Sequence, residues 1–86
     1  MKIISLSDLP FTEVSHSPSI KKQVMIENGE LDNITNFSQA IIPAGEVAGA
    51  HMHEDMTEIF WVVSGEGVIS INGVAYKLFH GVCAMV

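Results

Sequence analysis

The chain has 86 residues, 48% apolar and only 16% charged, so it reads as one packed globular domain that is neither disordered nor long enough for two cores. Ten acidic residues against four basic ones give a formal charge of −6, which argues against nucleic acid or an anionic membrane as partner. All four cations are lysines, so no bidentate arginine fork is available for a phosphate or a polycarboxylate. Cys83 is the single cysteine, which rules out an internal disulfide framework and fits a reducing cytoplasm. The opening segment Met1 to Asp8 has no apolar run of signal-peptide length, and no stretch approaches the roughly 20 apolar residues of a membrane-spanning helix. The expectation is a soluble cytoplasmic protein.

In chain order, residues 1–32 read as an irregular N-terminal arm that wraps the outside of a sheet. Pro10, Pro18 and the run Ser15-His16-Ser17-Pro18-Ser19 mark turns, and Lys22 to Ile26 is a short strand. Asn28-Gly29 is a turn signal. Residues 33–86 form the core of the same single domain. Ile34 to Ile42, rich in β-branched and apolar residues, is a strand that Pro43 ends. A loop with Gly45 and Gly49 leads to His51-Met52-His53, then to an acidic bend at Glu54-Asp55, then to a strand from Thr57 to Val63. Alternation places Glu58, Phe60 and Val62 on one face of that strand and Trp61 on the other. Val68 to Ile71 and Val74 to Leu78 flank Asn72-Gly73, the sequence best suited to a two-residue hairpin turn. His80-Gly81 makes an exposed turn, and Val82 to Val86 is an apolar strand. An apolar strand in that place calls either for a partner subunit or for a chain longer than this one. Short strands with glycine-rich turns and no long 3.6-residue stripe indicate an all-β antiparallel sandwich or barrel.

Residues two apart on a strand share a face, so His51 and His53 can direct both imidazoles at one point, and the return strand brings Glu58 beside them. Two neutral imidazoles and a carboxylate make a ligand set for Fe(II), Mn, Ni, Co or Zn with positions left open. A solvated His-x-His in an acidic loop is the competing reading of the same residues. Glu54 and Asp55 fit a bend better than a ligand shell. Cys83 has no basic neighbour in sequence and reads as a buried strand residue. Met52 and Met56 fill space beside the histidines, and Phe60 and Val62 offer an apolar pocket floor.

The segment from Gly45 to Gly65 resembles the first cupin motif: Gly45, five residues, His51-Met52-His53, four residues, Glu58, six residues, Gly65. The resemblance continues into the entering strand Ala40 to Ala44 and the following hairpin through Asn72-Gly73, covering roughly 33–86. It implies a jelly-roll β-barrel with His51, His53 and Glu58 as ligands of a divalent transition metal. Gly81 stands at the first position of the second cupin motif, and the five residues Val82 to Val86 follow it. The expected fold is therefore a cupin-type antiparallel jelly-roll barrel, incomplete at the C-terminus and lacking that motif's histidine. Neither His80 nor His16 is expected to replace it.

Three functional readings follow. The first is a small metal-binding module that takes a small molecule, since no acid/base pair stands out beyond the ligands. The second is a metal-dependent enzyme on a small organic substrate, of dioxygenase, isomerase or decarboxylase type. The third is a truncated cupin scaffold without metal. The apolar final strand points to a homodimer in each.

Overall fold

The computed structural model of the chain describes residues 1–14, 17–49 and 56–86, and by contact it divides into two units, Met1–His51 and Met52–Val86. In the first unit a single 3-10 turn at Leu6–Asp8 precedes three strands, β1 (Thr12–Val14), β2 (Ser17–Ile26) and β3 (Phe37–Ile41). They form one antiparallel sheet with β2 in the centre. The short strand expected at Lys22 to Ile26 thus starts five residues earlier and takes in Pro18. That placement costs no ladder bond, because the register jumps from Glu13↔Lys21 to Val14↔Ser17 and leaves Pro18 opposite no residue of β1 or β3.

A second irregularity on β2 sets Val24 against Ser38 and Ile26 against Phe37, so Met25 is the extra residue of a bulge. Bulges free backbone carbonyls, and lysines answer two of them. Lys2 Nζ donates to Met25 O at 2.9 Å, and Lys21 Nζ donates to Pro18 O at 2.8 Å. The deepest part of the sheet lies along β2, where Ile20 is 2% exposed and Ser17 and Gln23 are also buried. Gln23 Nε2 donates to Leu6 O at 2.6 Å and Leu9 O at 3.0 Å, which clasps the 3-10 turn to the central strand. The strand expected from Ile34 begins only at Phe37, because Leu31 and Ile34 pair with each other across a tight turn instead.

In the second unit β4 (Ile59–Trp61) pairs with β7 (Cys83–Met85), and β5 (Glu66–Ile71) pairs with β6 (Val74–Phe79). Ile71 and Val74 face each other across Asn72 and Gly73, whose φ values of 51° and 79° are those of the expected hairpin turn. Backbone bonds carry the β4–β7 ladder past its formal ends: Glu58 N–H donates to Val86 O at 2.9 Å, Val86 N–H to Glu58 O at 2.8 Å, and Val62 N–H to Val82 O at 2.9 Å. The apolar last strand therefore has an intrachain partner along one edge.

Every strand pair is antiparallel and the architecture is all-β, as the sequence leads one to expect. Among the described residues the hydrogen bonds sort the strands into three sheets and do not close a barrel. Among the same residues no helix is long and apolar enough to cross a membrane.

Candidate metal centre

Of the three expected ligands, Glu58 is described, whereas His51 and His53 lie outside the described residues, as do Met52, Glu54, Asp55 and His16. Glu58 stands at the entrance to β4, where its N–H and C=O both bond to Val86. This reciprocal pair fixes the backbone, so only side-chain torsions are left to aim the carboxylate. Register and alternation set Glu58 on one face of the ribbon with Phe60, Val62, Val82, Ala84 and Val86. Glu58, Val62, Val82 and Ala84 are half-buried. A carboxylate set among apolar neighbours interacts more strongly with a cation than one in bulk water does.

The two glycines that bound the motif carry independent structural information. Gly45 has φ 83° and Gly65 φ 84°, both in the left-handed region. A Cβ at either position meets nothing within 4 Å. The backbone conformation rather than crowding therefore calls for glycine there. Gly45 is the third residue of a turn closed by Glu46 N–H to Pro43 O at 3.0 Å, which redirects the chain after β3 towards the histidines in sequence.

Among the described residues no group of three or more His, Cys, Asp or Glu side chains converges on a point. Donor chemistry is the available test of fit: two imidazoles and one carboxylate suit a borderline divalent ion such as Fe, Mn, Ni, Co or Zn. His80 lies in an exposed turn, as expected. Cys83 is in a strand as expected but is exposed rather than buried, because alternation puts it on the face of Trp61 and not on that of Glu58.

A hollow of about 310 Å³ in the second unit is lined by Ile69, Ile71, Tyr76, Lys77 and Leu78 of the hairpin and by Val82 to Met85. Neither Phe60 nor Val62, the expected pocket floor, lines it. The signal for the hairpin residues was present in the alternation of β5 and β6, which gathers Ile69, Ile71, Tyr76 and Leu78 on one face.

No curated protein and no solved structure matches the chain. The Cupin domain, by contrast, matches residues 38–86, from within β3 to Val86 and more than half of the whole. That span contains the complete Gly45-His51-His53-Glu58-Gly65 spacing and all four strands of the second unit. With its antiparallel all-β architecture, this chain belongs to the cupin domain family.

Proposed function

We propose that the chain binds one divalent transition-metal ion through His51, His53 and Glu58 and serves, as a cytoplasmic homodimer, as a binding or sensing module for a small organic molecule. The observation that carries this reading is the complete motif spacing inside the matched region, with both bounding glycines in the left-handed conformation. Cupin domains often bind divalent metals and small ligands and often form oligomers, which supports each part of the reading at the level of the family.

In this role the two imidazoles give neutral nitrogen donors, and Glu58 gives one negative charge from a fixed backbone position. A bound ion supplies Lewis acidity and open positions for a ligand atom. Protons compete for the imidazole nitrogens, so metal affinity falls on acidification.

Thermal unfolding with and without Ni, Zn or Fe(II) tests the proposal. At free metal a hundred times the dissociation constant, a single site adds about 2.7 kcal/mol of stability. The wild-type midpoint is expected to rise on metal addition, and His51→Ala and Glu58→Gln are expected to abolish the rise. An unchanged wild-type midpoint, or an equal rise in both variants, removes the metal site. Turnover by the metal-loaded protein on a panel of small organic substrates replaces the module with an enzyme.

A further inference from the structure

Asparagine followed by glycine occurs twice in the chain, at Asn28-Gly29 and at Asn72-Gly73. In this dipeptide the glycine nitrogen can reach the asparagine side-chain carbonyl carbon, and glycine sets no side chain in the way of the five-membered ring their bond closes. Asn33 and Asn36 precede Ile34 and Phe37, whose side chains crowd that approach. Both Asn-Gly pairs are exposed, so access to water does not separate them. Their backbones do. Ring closure needs a rotation of the main chain at the asparagine, so its rate follows how readily the turn opens.

Asn72 and Gly73 sit at φ 51° and 79° between Ile71 and Val74, the first rung of a ladder that runs through six residue pairs to Glu66↔Phe79. Opening that turn pulls on both strands. Asn28 and Gly29 lie in residues 27–36, the exposed connection between β2 and β3, where the strand-type pairing is the isolated bridge Leu31↔Ile34. Their turn is closed by Glu30 N–H to Glu27 O at 3.2 Å. Glu27 N–H also donates to Glu30 Oε1 at 3.4 Å, and Lys2 bonds the same carboxylate, but these contacts are exposed and break without disturbing a ladder.

We infer that Asn28 is a site of spontaneous deamidation in the folded protein, and that the β5–β6 ladder protects Asn72 from the same reaction. Hydroxide takes the Gly29 amide proton, and the nitrogen attacks Cγ of Asn28. The Cγ–Nδ2 bond breaks and ammonia leaves. Water then opens the cyclic imide at either carbonyl, giving aspartate or isoaspartate. Either product adds one negative charge to the formal −6, beside Glu27 and Glu30. Isoaspartate also lengthens the main chain between Glu27 and Glu30 by one carbon, which loosens the turn that presents Glu30 to Lys2.

Incubating the full chain, folded and in urea, and following the amide-to-acid mass gain of each asparagine by peptide mapping tests the inference. In the folded protein Asn28 is expected to convert at least about tenfold faster than Asn72, and faster still at alkaline pH. In urea the two rates are expected to converge. Asn28→Gln is expected to remove the acidic species that ion exchange resolves from the aged wild type. An Asn72 that converts as fast as Asn28 in the folded protein overturns the inference, as does an Asn28 that persists there while converting in urea. A rate ratio equally large in urea overturns it too, because the neighbouring residues and not the fold then set the difference.

Discussion

Gly73 is held at φ 79° in the hairpin between β5 and β6, a left-handed conformation that an added side chain resists although a Cβ there meets nothing within 4 Å. Gly73→Val is expected to destabilise the fold by about 1–2 kcal/mol, measured by denaturant unfolding, because a β-branched residue resists the left-handed region. Glu30 gives a test by titration. The Lys2 ammonium bonds both of its carboxylate oxygens, at 2.7 and 2.8 Å, and holds its pKa below the ordinary 4.5. A carboxyl with a lowered folded-state pKa lends stability that is complete above the ordinary value and is lost as pH falls through the lower folded one. Lys2→Met is expected to return the Glu30 titration, followed by NMR of its carboxyl carbon, towards 4.5. An unshifted titration contradicts the ion pair. At this scale the sequence was most informative where one residue type answers one backbone need, as Asn72-Gly73 does at its turn. It was least informative for Cys83, since a small apolar residue fits either face of a ribbon and only the register with Trp61 decides which.

At the scale of elements, the clasp between the 3-10 turn and β2 depends on one side chain. Gln23 is buried and donates to the carbonyls of Leu6 and Leu9, so Gln23→Ala strands two acceptors. The expected loss is about 1–3 kcal/mol in denaturant unfolding, with increased hydrogen exchange over residues 1–14. A variant as stable as the wild type contradicts the clasp. The strands were legible where alternation and turn residues agreed, as in β5, β6 and the β4–β7 pair. Their ends differ from what propensity predicts. Pro18 looked like a break, yet it falls in a register shift where no N–H is required, and Ile34 looked like strand, yet it closes a tight turn with Leu31. Both differences come from which residues pair across tight local turns, Val14 with Ser17 and Leu31 with Ile34, a choice that strand propensity does not encode.

At the scale of the whole molecule, apolar residues make up nearly half the chain, yet among the described residues Ile20 is the buried apolar one. Large apolar side chains are left exposed in both units, among them Phe37 and Ile41 in the first and Trp61 and Met85 in the second. We also propose that the chain behaves as one domain, since a chain of 86 residues is short for two independent cores. Calorimetry is expected to give one cooperative transition, and two separate transitions contradict a single domain. The family was legible from one motif, whose spacing of Gly45, His51, His53, Glu58 and Gly65 lies within the matched residues 38–86. Substrate and metal identity were not, because a ligand set of two imidazoles and a carboxylate serves many ions and many reactions. The central claim is metal binding by His51, His53 and Glu58, and elemental analysis after loading with metal and removing the excess tests it most directly. One equivalent of divalent metal per chain in the wild type, falling to a small fraction in Glu58→Gln and His51→Ala, is the predicted result. Equal metal content in all three proteins, or none in the wild type, contradicts it.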